Sequence, residues 1–221
     1  MAVRAILLAA GRSLRMGRDK ALLTLAGETL VERHVRQLRA AGVEDAIAIC
    51  NPDNRAAIRA GSLLQQGEGM SGAVLTGLQA CQGFEGCWLV CVNDIVSDAD
   101  YRRMAACLLR PGEIAVATHP LDRIFQGGML QLDASRNVQS IIEKPPGGCP
   151  PGAAANVMIH RLQGASLIGA LIAELASGVP YENAVNHLIS RGVRAVAIAM
   201  ESWVAIKTPE DYERAGRRDA E

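Results

Sequence analysis

The sequence predicts an α/β protein with a mostly parallel sheet flanked by helices and a small hairpin lobe in its second half. Strand-like apolar runs alternate with helical segments through the first half, which is typical of right-handed crossovers in a parallel sheet. The run Cys87–Val92 is apolar throughout, as expected for a strand that is buried on both faces. After Leu121 the alternation gives way to two short strands joined by a turn, and this pair forms the hairpin.

The elements of the first half follow from apolar spacing and from helix-ending signals. A strand at Val3–Ala9 leads into a loop, and a helix at Thr29–Ala41 has apolar residues at helical spacing with Gly42 just past its end. The other elements predicted there are a strand at Asp45–Cys50, a short helix at Asp53–Ala60, a helix at Ser71–Cys81, the strand at Cys87–Val92, a helix at Ala99–Leu109 and a strand at Glu113–Thr118.

The second half begins with the hairpin. Its strands, Gly127–Leu132 and Asn137–Ile142, flank a turn around Asp133–Arg136, and the Pro- and Gly-rich stretch Pro145–Gly152 forms a loop. The elements predicted after it are a strand at Ala154–Ile159, helices at Ala165–Leu175 and Tyr181–Ser190, a strand at Arg194–Met200 and a helix from Pro209. This order predicts a Rossmann-like sheet with an additional lobe.

Length and composition favour a single domain over residues 1–221 and exclude several classes of partner. The 221 residues are 49% hydrophobic and 3% aromatic, so a sizeable core must be built mainly from Ala, Val, Leu and Ile. Lys and Arg (23) balance Asp and Glu (23), which argues against nucleic acid or an acidic membrane as the main partner. No stretch is long enough to span a membrane, and the first apolar run predicts a strand and not a signal peptide. We therefore expect a cytoplasmic protein, which could form an oligomer.

The six cysteines and four histidines do not form a metal-binding pattern. No Cys-x-x-Cys pair occurs, and Cys50, Cys87 and Cys91 fall in apolar, strand-like runs. Buried thiols are therefore expected in place of a zinc site or a disulfide framework. The histidines are scattered without ligand spacing, so no metal is assigned to them.

Residues 7–25 carry the strongest functional signal. The first strand ends there in a loop with two glycines and four cations, namely Gly11, Gly17, Arg12, Arg15, Arg18 and Lys20. Glycine lets the main chain approach a ligand closely, and successive loop N–H groups can converge on an anion while fixed cations add charge. The loop therefore predicts a nucleoside triphosphate site, and the alternative is a surface loop whose cations are solvated.

The order of strand, Ala-Ala-Gly, Arg-Met-Gly and Lys-x-Leu-Leu resembles the signature loop of nucleotidyltransferases. That family includes sugar-nucleotide pyrophosphorylases and molybdopterin nucleotidyltransferases. The resemblance implies that the loop wraps a triphosphate and that Arg15 and Lys20 are catalytic, because they neutralise charge on the transferring phosphate. It also implies nucleotide-binding roles for Leu8, Ala9, Ala10, Gly11, Arg12 and Gly17.

A second glycine-rich segment, Gln66–Ala73, precedes a predicted helix. Three glycines in six residues suggest backbone that passes close to a flat group, and a helix N-terminus favours an anion. In the family the matching segment contacts the base and sugar of the nucleotide. The resemblance therefore implies nucleotide-binding roles for Gln66, Gly69, Ser71 and Gly72, whereas a flexible turn is the alternative.

Asp94 stands at the exit of a predicted central strand, where ligands of open parallel sheets bind. A carboxylate there can hold Mg²⁺ together with phosphate oxygens, and the alternative is that it caps the next turn. The family has an Mg²⁺-binding Asp at the corresponding strand end, after a small residue where this chain has Asn93. The resemblance implies Asp94 as a metal ligand and Mg²⁺ as the cofactor.

A pattern in the second half resembles the acceptor site of sugar-nucleotide pyrophosphorylases. The segment Val138–Pro145 matches Val-x-x-Ile-x-Glu-Lys-Pro. In those enzymes the Glu binds a sugar hydroxyl and the Lys binds the sugar phosphate, roles that would fall on Glu143 and Lys144. The same order of elements adds Gly128 and Asn156 to the acceptor-binding residues and makes the hairpin an acceptor-side lobe.

The segment Trp203–Asp211 departs from the pyrophosphorylase pattern. Those enzymes have Trp-x-Asp-x-Gly-Thr-Pro-Glu, in which the Asp is a second metal ligand, but Ala205 and Lys207 stand at the Asp and Gly positions here. The sequence Ile-Lys-Thr-Pro-Glu-Asp is similar to cytidylyltransferases whose lysine reaches phosphate. We therefore predict Lys207 as a third catalytic residue that contacts phosphate, with a solvent-facing lysine as the alternative.

Together the motifs predict an Mg²⁺-dependent nucleotidyltransferase that moves NMP from an NTP to a phosphorylated small molecule, foremost a sugar 1-phosphate, and releases pyrophosphate. The alternatives are cytidylyl transfer to a non-sugar phosphate or phosphonate, molybdopterin nucleotidyl transfer, and a catalytically silent nucleotide-binding protein that lacks the second carboxylate. The expected partners are the NTP and the acceptor, without nucleic acid or membrane.

Overall fold

The computed structural model describes residues 2–219, and the elements in that range follow the predicted order. The strands are β1 (Val3–Leu8), β2 (Thr24–Leu25), β3 (Glu28–Thr29), β4 (Asp45–Cys50), β5 (Gly61–Leu64), β6 (Gly86–Cys91), β7 (Asp94–Ile95), β8 (Ile114–Pro120), β9 (Gly128–Leu132), β10 (Val138–Glu143), β11 (Ala154–Gln163), β12 (Ala195–Ala199) and β13 (Val204–Ala205). The helices are α1 (Leu30–Ala40), α2 (Gly69–Gln79), α3 (Asp98–Ala106), α4 (Ala165–Ala176), α5 (Tyr181–Ser190) and α6 (Pro209–Asp219).

Nine of these strands form one sheet in the order β10–β9–β11–β6–β1–β4–β5, with β8 paired to β11 and β12. Strands β6, β1, β4 and β5 are parallel neighbours, and β8 and β12 form another parallel pair. The antiparallel part is built on β11, which pairs with β6, β8 and β9, and on the β9–β10 hairpin. The predicted fold class, an α/β sheet flanked by helices with a hairpin in its second half, is confirmed.

Two apolar layers pack on the two faces of the sheet. Side chains of β1 alternate between them, so that Leu7 faces α1 and α3 whereas Ile6 faces α2, α4 and α5. A Cβ atom on Gly77 of α2 would overlap the Ile6 side chain. Glycine at this point therefore lets α2 approach the central strand, and α2 is the helix that begins beside the candidate site.

The predicted helix at Asp53–Ala60 is wrong. A single 3₁₀ turn forms there, at Arg55–Ala57, before the chain enters the edge strand β5, which the sequence did not predict. The Asn51 side-chain oxygen accepts hydrogen bonds from the backbone N–H groups of Asp53 and Asn54, at 2.9 and 3.0 Å. These local bonds stabilise a turn and compete with a helix.

The cysteines are free thiols, and Cys50 and Cys87 are buried in core strands as the apolar pattern predicted. Cys91 is half-buried at the end of β6, and burial raises the pKa of its thiol to about 12. Within residues 2–219, no helix combines the length and the apolar character that a membrane span requires.

A buried carboxylate connects the start of α3 to the segment before β13. Asp100 is fully buried and accepts five hydrogen bonds, from the N–H and hydroxyl groups of Ser97 and Ser202 and from the N–H group of Glu201. Burial alone would raise the pKa of Asp100, but these hydrogen bonds outweigh it and the net pKa is lowered. Asp100 thereby fixes the two residues that precede Trp203.

Asp100→Ala should lower the free energy of unfolding by on the order of 2–3 kcal/mol, because it removes a helix cap and leaves buried donors without an acceptor. Since the pKa of Asp100 is lowered in the folded protein, its contribution is present above the unfolded-state pKa of about 4 and is lost as the pH falls below it. Urea unfolding at pH 7 measures the effect.

The matched control is Glu201→Ala, which keeps the backbone N–H donor to Asp100 and removes an exposed side chain that pairs with Arg103. This control should change stability by less than about 1 kcal/mol. Equal losses in the two variants would show that Asp100 does not anchor the segment.

Candidate active site

A cleft of about 550 Å³ opens at the carboxyl ends of β1, β4 and β6, where open α/β sheets bind ligands. Its walls come from the loop after β1, the chain after β4, the start of α2 and the end of β6. The lining residues are Leu8, Ala9, Ala10, Gly11, Arg12, Ser13, Lys20, Ala21, Asn51, Pro52, Gln65, Gly67, Glu68, Gly69, Met70, Ala73, Cys91, Val92 and Asn93. Six of the ten predicted nucleotide-binding residues and the predicted catalytic Lys20 are among them.

The loop after β1 is held in place by Asn54, which is 1% exposed. Its side-chain amide donates hydrogen bonds to the Ala9 carbonyl oxygen at 2.9 Å and to the Asp19 carboxylate at 2.8 Å. Asp19 in turn accepts a hydrogen bond from the N–H group of Ala21, and the N–H group of Lys20 donates to the Ser13 hydroxyl. These bonds fix both ends of the loop and place Lys20 in the cleft wall.

The four cations of the loop have different surroundings. Arg12 and Lys20 line the cleft. Arg15 is exposed and does not line it, but its charge is among the causes that lower the pKa of Lys207, so the two charges interact. The Arg18 guanidinium lies 5.3 Å from the centre of the Tyr212 ring. The predicted triphosphate contacts of Arg15 stay a prediction.

Four predicted nucleotide-binding residues lie outside the cleft wall. Gly17 is exposed with φ +70°. The Ser71 hydroxyl accepts a hydrogen bond from the N–H group of Tyr181, and the Gln66 N–H group donates to the Thr76 hydroxyl. A Cβ atom on Gly72 would lie 2.8 Å from the Gly67 carbonyl carbon. Gln66, Ser71 and Gly72 therefore support the glycine-rich segment, whereas Gly69 lines the cleft.

Asp94 follows Asn93 of the cleft wall and is 6% exposed. The Trp203 indole N–H donates a hydrogen bond of 2.8 Å to its carboxylate. Burial raises the pKa of Asp94 to about 6, although the Trp203 hydrogen bond and the charges of Lys207 and Lys20 act in the opposite direction. Ala205 pairs directly with Asp94 across the β7–β13 ladder, so the residue that replaces the family's second carboxylate lies next to the first.

A smaller cavity of about 140 Å³ adjoins the cleft and shares Met70, Cys91 and Asn93 with it. Its other lining residues are Asp94, Phe125, Gly127, Gly128, Glu143, Asn156, Met158, Glu182 and Lys207. The structure thus brings three of the four predicted acceptor-binding residues together with Asp94 and Lys207. The fourth, Lys144, has a side chain that is 75% exposed and lies outside this wall, with its ammonium 3.7 Å from Glu143.

His160 lies beneath the acceptor-side wall and orients the Asn156 side chain. The buried His160 ring contacts the Asn156 side-chain oxygen at 2.9 Å and the Tyr181 hydroxyl at 2.6 Å, and burial lowers its pKa to about 3. Because that amide oxygen can only accept, Nε2 of the neutral ring donates and Nδ1 accepts from Tyr181. The Asn156 amide NH₂ is then free for a ligand oxygen. A Cβ atom on Gly128 would lie 2.7 Å from the Glu143 carboxylate, so a larger residue there would displace the end of the Glu143 side chain.

Lys207 lies inside the smaller cavity. Its ammonium donates to the Gln126 carbonyl oxygen and lies 3.7 Å from the centre of the Phe125 ring. Burial is the main cause that lowers its pKa, and the charges of Asp94 and Glu143 oppose that shift. The phosphate contact of Lys207 stays a prediction.

Several site residues are not predicted by the sequence. Asn54 lies in the segment that was predicted as a helix, although polar residues directly after a parallel strand were a usable signal. His160 lies in an apolar strand, and Glu182 lies at the start of a helix. No local sequence pattern connects either residue to the hairpin. Their roles depend on tertiary packing.

A nucleotidyltransferase needs a cleft that can hold a triphosphate and an adjoining site for the acceptor, and this structure has a cationic, glycine-containing loop in the cleft and a buried aspartate in the wall of the adjoining cavity. The chain belongs to the family of MobA-like NTP transferase domains, whose model matches residues 5–132. It is 49% identical over 59 residues to a probable molybdenum cofactor guanylyltransferase of Opitutus terrae, and this match spans 27% of the chain and 29% of that relative.

Solved structures of nucleotidyltransferases share the fold over nearly the whole chain. A putative glucose-1-phosphate thymidylyltransferase from Bacillus anthracis, in complex with sucrose, has a TM-score of 0.81 at 16% identity and covers 99% of this chain and 95% of its own. The CTP:phosphocholine cytidylyltransferase from Streptococcus pneumoniae has a TM-score of 0.78 at 15% identity, with 99% of each chain covered. A UTP-bound UGPase from Acinetobacter baumannii has a TM-score of 0.79 at 18% identity and covers 99% and 93%.

Asn54→Ala should weaken NTP binding by about tenfold, because the loop after β1 loses the amide that joins Ala9 to Asp19. Isothermal titration with each NTP measures the dissociation constant. Asp53→Ala, which removes an exposed neighbouring side chain, is the control and should bind as the wild type does. Unchanged affinity in a folded Asn54→Ala variant would contradict the role of Asn54.

Proposed function

We propose that the protein transfers NMP from an NTP to a sugar 1-phosphate and releases pyrophosphate. The observation that carries this proposal is the 140 Å³ cavity, which adjoins the nucleotide cleft at Asn93 and has Gly128, Glu143 and Asn156 in its wall. A carboxylate that accepts and an amide that donates match the hydroxyl and ring oxygens of a sugar. We include a cytoplasmic location, where NTPs are available, in the proposal.

The residues present supply one carboxylate ligand for a metal ion. Within residues 2–219, no group of three or more His, Cys, Asp or Glu side chains is arranged to hold a metal ion. Mg²⁺, however, is commonly held by one or two carboxylates together with substrate phosphates, and Asp94 supplies one carboxylate in the wall of the smaller cavity, next to the shared residue Asn93. When bound there, Mg²⁺ would neutralise charge on the triphosphate.

The proposed reaction is a direct displacement. An oxygen of the acceptor phosphate forms a bond to the α-phosphorus of the NTP while the bond from that phosphorus to the bridging oxygen of pyrophosphate breaks. No covalent enzyme intermediate is needed, so the protein contributes positioning and charge neutralisation. In this proposal Lys20 and Arg15 stabilise the triphosphate, and Lys207 holds the acceptor phosphate beside Asp94.

Molybdopterin is the second candidate acceptor, because the Opitutus terrae relative is named for the molybdenum cofactor. The family model, however, ends at residue 132, before Glu143 and Asn156. Glu143 and Asn156 therefore lie outside the region that matches that family, whereas Gly128 lies inside it, and the polar groups of these two residues favour the sugar phosphate. Phosphocholine, which the name of one structural neighbour includes, is the non-sugar alternative.

A pyrophosphate-release screen tests the function. Four NTPs are assayed with Mg²⁺ against sugar 1-phosphates, phosphocholine, aminoethylphosphonate and molybdopterin. The proposal expects turnover with a sugar 1-phosphate. Turnover with molybdopterin alone, or NTP binding without turnover on any acceptor, would overturn it.

Lys20→Ala should reduce the rate of pyrophosphate release by about 10²–10³-fold, because one preorganised charge on the transferring phosphate is lost. The half-exposed lysine contributes little to stability, so thermal unfolding should be unchanged. Arg18→Ala, whose cation faces Tyr212 and not the cleft, is the matched control and should retain near-wild-type activity. Near-wild-type release by Lys20→Ala would refute the assignment of the loop.

Lys207→Met should raise KM for the acceptor by about tenfold or more, because a neutral side chain of similar length cannot hold a phosphate. Steady-state kinetics at saturating NTP separate this effect from a loss of nucleotide binding. Ala205→Asp should give no gain in rate if one metal suffices. Unchanged kinetics in Lys207→Met would show that this lysine only packs in the cavity wall. A large gain in rate in Ala205→Asp would mark the chain as a decayed two-metal enzyme.

A further inference from the structure

Glu182 is a buried carboxylate in the acceptor cavity that the proposed reaction does not use. It lies in the first turn of α5, is 6% exposed and lines the smaller cavity. Among the residues that the structure describes, its Oε1 atom has no hydrogen-bond partner. A buried acceptor without a donor is costly, so a ligand that brought a donor to Glu182 would gain binding energy.

The start of α5 is fixed in place. The N–H group of Tyr181 donates to the Ser71 hydroxyl of α2 at 3.0 Å, and the Tyr181 hydroxyl contacts His160 of β11. A carboxylate in the first turn of a helix is favoured by the helix dipole, which explains why Glu182 is tolerated there. The dipole does not explain why the buried Oε1 atom lacks a donor in a residue that lines the cavity.

Two carboxylates share this end of the cavity. Burial is the main cause that raises the pKa of Glu182, and the charge of Glu143 raises it further. Of the lining residues in the described part of the chain, Lys207 alone is cationic, and its ammonium is bonded to the Gln126 carbonyl oxygen. Lys144 is exposed and lies outside the wall, although its charge acts on Glu182 and opposes the rise in the pKa. In the described part of the chain, the wall of this cavity therefore has three carboxylates, those of Asp94, Glu143 and Glu182, against the single cation Lys207.

The charges in the cavity favour one of two kinds of donor that a ligand could bring, a hydroxyl or an ammonium group. A ligand hydroxyl would satisfy the free oxygen but would leave the repulsion between Glu143 and Glu182. An ammonium group offers up to three donors and one positive charge, so it satisfies both carboxylates. Asn156, whose amide is oriented by His160, remains available for a neutral oxygen of the same ligand.

We propose that Glu182 and Glu143 together recognise an ammonium group, so that the acceptor is an amine-bearing sugar 1-phosphate. This inference rests on the proposed function and narrows its acceptor class. Glu182 is then a specificity-determining residue at the end of the cavity away from the phosphate.

Matched acceptors test the proposal. Glucosamine 1-phosphate and glucose 1-phosphate differ by an amine in place of one hydroxyl, and 2-aminoethylphosphonate and 2-hydroxyethylphosphonate repeat the comparison on a shorter skeleton. The wild-type kcat/KM should favour the amine of the sugar pair by about tenfold to a hundredfold, as expected for a charged hydrogen bond in a buried site. Titration calorimetry of both sugars, with Mg²⁺ and a non-hydrolysable NTP, should show the same order of affinity.

Glu182→Gln keeps the shape and removes the charge, so the ratio of kcat/KM for amine over hydroxyl should fall to about one. Glu210→Gln, which changes an exposed first-turn glutamate of α6, should leave the ratio as in the wild type. Equal losses on both sugars in Glu182→Gln, or no amine preference in the wild type, would overturn the inference. The wild-type comparison stands even if the variant does not fold.

A failure of this inference and a failure of the proposed function give different experimental results. Turnover of glucose 1-phosphate as efficient as that of glucosamine 1-phosphate contradicts the inference and leaves the proposed function intact. Amine preference on the phosphonates without turnover of any sugar 1-phosphate contradicts the sugar acceptor. Absence of pyrophosphate release with every acceptor contradicts both.

Discussion

The hydrogen bond from the Trp203 indole to the Asp94 carboxylate is the contact on which the arrangement of the site depends. It ties the C-terminal segment to the exit of the central strand β6, and the two-residue ladder of β7 and β13 runs beside it. Asp100, buried at the start of α3, fixes the residues just before Trp203. Asp94 is thereby held where the nucleotide cleft and the smaller cavity meet, with Lys207 two residues beyond Ala205 on the same segment.

The two cavities belong to the two halves of the sheet. The nucleotide cleft lies over the parallel strands, whose carboxyl ends converge on one edge, and Asn54 fixes the loop that forms its wall. The acceptor cavity lies over the antiparallel part, where β11 pairs with β9 at Ala154 and Ala155 and with β6 from Ile159 onward, and where its register with β8 shifts between Asn156 and His160. Asn156 lies beside Gly128, and the His160 ring contacts its side-chain oxygen. The fold therefore places the two cavities side by side, and Asp94 lines the smaller one next to the shared residue Asn93.

Much of the fold was predictable because its signals are local. Apolar periodicity gave the central strands and long helices, and the bounds of Asp45–Cys50 and Tyr181–Ser190 are those predicted. The prediction of a helix at Asp53–Ala60 was wrong because hydrogen bonds to the Asn51 side chain stabilise a turn. Apolar periodicity contains no signal for such side-chain hydrogen bonds. The loop motif placed Lys20 and most of its neighbours at the cleft. The place of Glu182 in the site could not be predicted from the sequence, because it depends on tertiary contacts that bring the start of α5 next to the hairpin. Ser71 and Gly72 were predicted to bind the nucleotide, but they support the site without lining it.

A crystal structure with Mg²⁺, a non-hydrolysable NTP and a sugar 1-phosphate tests the central claim most directly. The account predicts a triphosphate against residues 9–13 and Lys20, the metal on Asp94 with the Trp203 hydrogen bond intact, and the sugar in the 140 Å³ cavity with its phosphate facing the α-phosphorus. An acceptor bound elsewhere, or a triphosphate whose metal does not touch Asp94, would contradict it.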